Sequence, residues 1–443
     1  MRTFKEYLIP SLIASIFMSC YAIVDGIFIG FRMNDLGLAA INLAWPITAF
    51  IQGIGFAIGI SAGIYISRLR GLGMEDKIKR IKMAILVYLL ISGIFLGVLF
   101  FLLKGPILTI FQAKGETFIA ADKYITIILY GSIFQLMGCA LGPLLKNAGH
   151  VKIAMASSLI ATLTNLILDF LLIFVFEFGL EGAAVASVIA QGAALLVCII
   201  PYIKESSGIS FDKEAFKEIT LGMLAPFILN YSYSIIIILT NALCEAYNGN
   251  AATAAYTVLS YMLYVINASA QGTSDAVQPL FSYHSSRKEY KVIYKYLYKC
   301  MIISLCIVSI FSLIFFLLRD PISRLYGLSD EGKEIFNNAL IYYLFGFLII
   351  SFSKVICSYL YSINQKILAN ILVLVEPLLL TPILYFSLVH ACGILGLWIS
   401  FLVIQGILAL LALLFYYLSR RKDHEWTINC RQAEGDNEPE RLS

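Results

Sequence analysis

The sequence predicts an all-α, polytopic membrane protein with twelve transmembrane helices, arranged as two pseudo-symmetric six-helix bundles. Of its 443 residues, 60% are hydrophobic and only 14% are charged, whereas soluble domains are roughly 45–50% apolar and 25% charged. Apolar runs of roughly 18 residues or more recur along the whole chain. Segments of the first half also recur, in the same order, in the second half.

Twelve of these runs are long enough to cross a bilayer. The first has a basic start but continues without a convincing cleavage site, so it is interpreted as a membrane helix and not as a signal peptide. The predicted helices are residues 7–31, 38–67, 81–103, 118–145, 153–177, 182–203, 216–244, 253–282, 296–318, 335–361, 367–389 and 395–419.

The lysines and arginines predict the orientation of the helices, because cytoplasmic loops retain basic residues. If both termini are cytoplasmic, 24 basic residues fall in inner segments and 7 in outer loops, and Lys354 lies inside a helix. This asymmetry predicts a cytoplasmic N-terminus and a cytoplasmic C-terminus. The expected location is the plasma membrane.

An internal repeat predicts the domain organisation. The segment GLEGAAVASVIAQ (179–191) lines up with GILGLWISFLVIQ (393–405), and Lys152 lines up with Lys366 at the same offset. Six helices separate the copies, so both halves insert with the same orientation. The predicted units are an N-terminal lobe (1–203), a cytoplasmic linker (204–215), a C-terminal lobe (216–420) and a cytoplasmic tail (421–443).

Several function classes are disfavoured by what the sequence lacks. The nine cysteines are scattered, without a CxxC pair or a metal-like spacing. The four histidines occur singly, and no GxxxxGK[ST] segment is present to bind a nucleotide. The basic and acidic residues nearly balance, which argues against nucleic acid as a partner. We therefore expect no enzyme activity, no cofactor and no direct ATP drive.

The chain resembles the multidrug and toxic compound extrusion (MATE) transporters over residues 1–420. The segments that carry the resemblance are VDGIFIG (24–30), GLAA (37–40), ISRLRGLG (66–73), KNAGHVKIAMA (146–156), NLILD (165–169), GLEGAAVASVIAQ (179–191) and GTSDAVQPL (272–280). The resemblance implies two six-helix bundles that face each other across a central cleft. It also implies a cation site in the N-terminal lobe at Asp25, Asn165, Asp169 and Ser187, the last of which is usually threonine in the family.

Depth counting places these four residues close together. At about 1.5 Å of rise per residue, Asp25, Asp169 and Ser187 lie roughly 10, 13 and 9 Å from the outer ends of their helices, and Asn165 lies one turn deeper than Asp169. A carboxylate at such depth costs about 3 kcal/mol or more, which favours a cavity-facing position. The pocket is therefore expected to hold a proton or Na⁺, with Na⁺ possible at Asp25, Asn165 and Asp169. The alternative is that Asn165 and Asp169 only join helices by hydrogen bonds.

The C-terminal lobe has its own intramembrane charges. Glu376 and Lys354 lie at matching depths on neighbouring helices, so they are expected to form a buried ion pair, unless Lys354 extends to the inner interface instead. Pro377 and Pro382 are expected to kink the helix of Glu376.

Further residues are candidates for a substrate cleft or for helix packing. Gln52 and Asn267 are repeat counterparts that either line the cleft or join helices, and Tyr256 is one of several tyrosines that could form an aromatic wall. Asp275 and Gln278 are interpreted as ordinary interfacial residues.

The expected function is cation-coupled antiport, driven by H⁺ or Na⁺, that exports amphipathic organic cations from a monomeric protein by alternating access. The alternative is a flippase for lipid-linked oligosaccharide of the wider superfamily. Such flippases often carry several basic residues in their cavity, whereas the only intramembrane base here is Lys354.

Overall fold

A computed structural model describes residues 4–110, 113, 115–208, 211–326 and 328–435. Within its helices, the described part excludes the side chains of residues 18–27, 29–31, 33–36, 38–39, 42, 238, 245, 248–250 and 421–435. The described backbone is helical apart from short turns and contains no strand, which confirms the all-α prediction.

The first half of the chain forms six α-helices and one π-helical segment. They are α1 (Phe4–Gly71), α2 (Glu75–Ile110), α3 (Gly115–Tyr130), α4 (Ser132–Asn147), α5 (Val151–Asp169), the π-helical segment Phe170–Val175 and α6 (Gly179–Lys204).

The second half begins with a short helix, whose N-terminus is capped by the side chain of Asp212. The elements are α7 (Lys213–Gly222), α8 (Leu224–Ser286), α9 (Tyr290–Leu317), α10 (Arg319–Leu325), α11 (Asp330–Ser362), α12 (Lys366–Val375), the π-helical segment Glu376–Leu380, α13 (Thr381–Cys392) and α14 (Ile394–Gly435).

Ten stretches of helix in the described part are long and apolar enough to cross a membrane, or eleven if the bent pair α3 and α4 counts as one span. The predicted span 7–31 is not in this count, because many of its side chains lie outside the described residues. The polytopic helical architecture is therefore as predicted.

The helix boundaries differ from the prediction at several places. Helical hydrogen bonding continues through 32–37 in α1 and through 245–252 in α8, where the sequence has no proline to stop it. The predicted helix 118–145 is instead broken at Gly131, with a bend of 60°. A Cβ atom at Gly131 would lie only 2.4 Å from Val188 Cγ1, so the close approach of α6 requires glycine there.

Each lobe contains a π-helical segment in its fifth predicted helix. In the C-terminal lobe, Pro377 and Pro382 lack the N–H groups that α-helical bonding needs, and the Thr381 N–H bonds to the Glu376 carbonyl instead. In the N-terminal lobe, the segment follows Asp169 directly and contains no proline. Such single-turn segments occur frequently at functional sites.

Two large hydrophobic cores stabilise the fold. One is built from residues between Ala40 and Ile219. The other is built mostly from residues between Ala225 and Phe415, together with Ile60 and Ile64 of α1. The second half of α1 therefore packs against both sets of helices and joins them.

Candidate ion and substrate sites

Two polar residues of α5 are almost completely buried in the N-terminal half. Asn165 and Asp169 are 2% and 1% exposed, and their i, i+4 spacing puts them on one face of the helix. The Asn165 Nδ2 atom donates a hydrogen bond to Ser187 Oγ over 3.4 Å, which links α5 to α6. The buried Oδ1 atom of Asn165 has no hydrogen-bond partner among the described residues. The structure thus supplies amide and hydroxyl oxygens, with a carboxylate one turn away, which suits a hard cation.

The side chain of Asp25, the fourth predicted member of the site, lies outside the described residues, but its neighbours are informative. Phe28, almost one turn further along α1, contacts Phe174 edge to face with ring centroids 5.4 Å apart. Beyond it, Arg32 donates to Glu177 over 2.6 Å. The part of α1 that carries Asp25 therefore runs beside the segment that follows Asp169.

An interior cavity lies in the C-terminal half and contains the two intramembrane charges of that lobe. Its polar lining includes Lys354 of α11, Glu376 of the π-helical segment, Gln405 of α14 and Asn267 of α8. The Gln405 Nε2 atom donates to Glu376 Oε1 over 2.9 Å. Gln405 is the repeat counterpart of Gln191 in the two aligned segments. That alignment alone does not predict the contact between Gln405 and Glu376.

The predicted ion pair between Lys354 and Glu376 is not formed in this structure. Within the part of the chain that the structure describes, no nitrogen of Lys354 lies within 4.0 Å of a Glu376 oxygen, although both residues line the same cavity. The π-helical segment begins at Glu376, and Gln405 holds its carboxylate instead. Both residues line one cavity, but similar depth does not determine on which side of a helix a residue lies.

Two other candidates for the cleft do not line this cavity. Tyr256 is 1% exposed and stacks on Trp398 in the core of the C-terminal half, with ring centroids 6.5 Å apart. Gln52 of α1 is partly exposed and does not line the cavity that contains its repeat counterpart Asn267.

The two halves are joined by a buried pair of carboxamides. Asn147 Nδ2 donates to Gln278 Oε1 over 3.0 Å, and Gln278 Nε2 donates to Asn147 Oδ1 over 3.1 Å. Ser67 Oγ also donates to Asn147 Oδ1, over 2.7 Å. The interpretation of Gln278 as an interfacial residue was therefore wrong, because it is only 4% exposed and crosses between the halves.

Further contacts made by charged residues join the two halves. Arg68 of α1 donates to Glu218 of α7 over 2.5 Å, and Lys366 of α12 donates to the backbone carbonyl of Glu218 over 2.9 Å. Lys146 and Asp275 lie 3.8 Å apart across the same junction. The halves are thus held together at the end of the bundle that the basic residues predict to be cytoplasmic.

The linker is tied to the N-terminal half by ion pairs. The Lys82 side chain is 2% exposed and donates to Glu205 over 2.6 Å, and His150 contacts the same carboxylate. Burial raises the pKa of Glu205, but the hydrogen bonds and charges of Lys82 and His150 outweigh burial and leave that pKa below its ordinary value. The Lys77 hydrogen bond lowers the pKa of Asp212. These pairings could not be predicted from the sequence, because linker contacts depend on tertiary structure.

A protein-family model matches both halves of the chain, and this match decides the family. The MatE family model matches residues 10–171 and 224–386. The chain belongs to the MATE family. As a MATE-family member it is a multi-pass membrane protein, and the resemblance noted in the sequence is confirmed.

Curated relatives of this MATE chain include multidrug export proteins. The protein MepA of Staphylococcus aureus (strain MSSA476) is 26% identical, with 95% of this chain and 94% of the relative covered. MepA of Staphylococcus saprophyticus is 27% identical, with 94% of this chain and 93% of the relative covered.

Solved structures share the fold. An outward-facing multidrug resistance MATE family transporter of the MOP superfamily has a TM-score of 0.89 at 18% identity, with 95% of this chain and 96% of the other covered. A mutant of the Vibrio cholerae MATE transporter VcmN has a TM-score of 0.88 at 21% identity with the same coverage. These likenesses confirm the fold class.

Proposed function

We propose that this protein is a multidrug efflux transporter in which H⁺ or Na⁺ enters the N-terminal lobe and drives the export of amphipathic organic cations. The observation that carries this proposal is the burial of Asp169 in the apolar helix α5, one turn from the Asn165–Ser187 hydrogen bond. Intramembrane carboxylates are costly and mark ion pathways or proton relays.

Drug export agrees with the names of the relatives, which are multidrug export proteins. It also agrees with the repeat, since parallel repeats place substrate and ion sites near the interface between two lobes. Both termini are proposed to be cytoplasmic, with the Asn147–Gln278 pair at the inner end and the Asp169 site nearer the outer face.

Coupling requires that the ion bind more tightly in one conformation than in the other. The site lies beside a π-helical segment, Phe170–Val175, which offers an element whose hydrogen-bond register can change. Ion binding at Asp25, Asn165, Asp169 and Ser187 would favour the state that releases substrate outward.

The test is ethidium efflux from proteoliposomes under an imposed pH gradient or an imposed Na⁺ gradient, applied separately. We expect one gradient to drive efflux in the wild type and Asp169→Asn to lower that efflux at least tenfold, because the amide cannot carry the negative charge. The control is Glu177→Gln, which removes an exposed carboxylate beyond the end of the same helix. Undiminished gradient-driven efflux in a well-folded Asp169→Asn variant would refute the proposal.

A further inference from the structure

The cavity of the C-terminal lobe has a chemistry different from that of the proposed cation site. It encloses about 40 Å³, which is room for about three water-sized groups at roughly 10–15 Å³ each. That volume is large enough for a compact polar head group. Aromatic side chains, including Tyr233, Tyr385 and Phe401, complete its lining.

Several polar groups around this cavity lack hydrogen-bond partners among the described residues. Lys354 makes no hydrogen bond or ion pair within the described residues, and the buried Thr381 hydroxyl, which is 1% exposed as a residue, also has no hydrogen-bond partner there. Glu376 is bonded through one oxygen to Gln405. The cavity therefore presents an ammonium and a hydroxyl as unmet donors, and a carboxylate oxygen as an unmet acceptor.

Charge balance selects among possible ligands. Lys354 and Glu376 together carry no net charge, so a ligand group with a single charge would leave that charge uncompensated in a medium of low dielectric constant. A group with one positive and one negative end would pair with both side chains and keep the cavity neutral.

We propose that this cavity binds the zwitterionic head group of amphoteric organic substrates. The anionic end pairs with Lys354 and the Thr381 hydroxyl, and the ammonium end pairs with Glu376, whose position Gln405 fixes. The inference rests on the proposed export function and extends its substrates from organic cations to molecules that carry both charges.

Two fluorescent probes test the site, because they differ by a single group. Nε-dansyl-lysine carries an α-ammonium and a carboxylate, whereas dansylcadaverine has the same aromatic tail and the ammonium but no carboxylate. In proteoliposomes of the full chain, we expect Lys354→Met to lower the kcat/KM for dansyl-lysine at least tenfold and that for dansylcadaverine less than twofold. Lys333→Met, at a charged position outside the cavity, is the matched control.

Binding without a gradient separates this inference from the proposed coupling. Dansyl-lysine fluorescence should increase on addition of wild-type protein in detergent and should not increase with Lys354→Met, while Lys354→Arg should retain at least part of the effect. Equal losses for both probes, or no loss for dansyl-lysine, would overturn the head-group site. Failure of Asp169→Asn to reduce dansylcadaverine efflux would count against the coupling mechanism and leave the binding result unaffected.

Discussion

The fifth predicted helix of each lobe contains a π-helical segment, but the side chains around the two segments differ. In the N-terminal lobe, Asp169 directly precedes a π-helical segment and lies one turn from Asn165. In the C-terminal lobe, Glu376 begins such a segment and is bonded to Gln405, in a cavity that also contains Lys354. Only the second site, among the described residues, includes a base.

This difference shows how a repeated architecture can support two kinds of site. The π-helical segment interrupts regular hydrogen bonding at the same helix of each repeat, and it can thereby place a carboxylate beside a cavity. The neighbouring side chains then decide the ligand: oxygen atoms alone favour a cation, whereas a carboxylate with an ammonium favours a neutral, dipolar group. Similar backbone geometry therefore does not imply similar chemistry.

The largest effect on ethidium efflux is expected when the Asn165 carboxamide of the N-terminal lobe is removed, and not when the Gln405 carboxamide of the C-terminal lobe is removed. Asn165→Leu removes the oxygen and the link to Ser187, so we expect ethidium efflux to fall at least tenfold at a fixed ion gradient. Gln405→Leu, a matched loss of a carboxamide in the other lobe, is expected to change ethidium efflux less than twofold. Initial rates in proteoliposomes measure both. Equal losses in the two variants would mean that the lobes do not divide the ion and head-group roles.

A smaller effect is expected at the junction between the lobes. Gln278→Leu leaves the buried Asn147 carboxamide without its partner, at a cost of about 1–3 kcal/mol to the closed arrangement. That cost corresponds to a shift of roughly 5- to 150-fold in the equilibrium with a state in which the lobes separate at this end.

Spin labels on cysteines introduced at Lys79 and Lys291, with the exposed native cysteines replaced, would report the separation by pulsed electron resonance. We expect a new population at longer distance in Gln278→Leu and the wild-type distribution in Gln52→Leu, a matched glutamine substitution away from the junction. An unchanged distribution in Gln278→Leu would show that the carboxamide pair does not hold the lobes together.

A third effect concerns the linker, which is tied to the N-terminal half by the ion pairs of Lys82 with Glu205 and of Lys77 with Asp212. Glu205→Gln leaves a buried ammonium without its charged partner, and we expect the free energy of unfolding to fall by about 1–3 kcal/mol. Because the pKa of Glu205 is lowered in the fold, its stabilisation is present above the ordinary glutamate pKa and is lost as the pH falls through the lowered value.

The Tm in detergent would therefore differ between wild type and Glu205→Gln at neutral pH, and the two should converge below about pH 4.3. The exposed Glu214→Gln serves as the control. A difference that persists undiminished at pH 3 would contradict the assigned role of the ion pair.

The sequence predicted the helical fold, because hydrophobic periodicity is enough to identify long apolar helices. Asn165 and Ser187 entered one candidate site through the family resemblance, whereas depth counting put Asn165 well below Ser187 and did not predict the hydrogen bond between them. Periodicity could not show that α1 and α8 continue through their predicted connections, since their ends depend on packing. It also could not predict the π-helical segment after Asp169, which contains no proline. For Glu376, the prolines predicted an interrupted helix, but they could not show which partner the carboxylate meets.

The contacts between lobes were the least predictable part. Asn147 and Gln278 lie within the two segments KNAGHVKIAMA and GTSDAVQPL that carried the family resemblance, so those segments already contained the signal. Their spatial pairing depends on how the two bundles dock, and no periodicity in either helix encodes that docking. The contacts between bundles were therefore not recoverable from the sequence, and neither was the partner of Glu376 within one lobe.

The carboxamide pair at the junction has a consequence for how the protein responds to its surroundings. Because Asn147 and Gln278 carry no net charge, the membrane voltage exerts no direct force on their hydrogen bonds. Dissolved salt cannot screen a buried contact between neutral groups as it screens surface charges. The carboxamide link between the lobes should therefore respond less to membrane voltage and to salt than the neighbouring contacts of Arg68 with Glu218 and of Lys146 with Asp275.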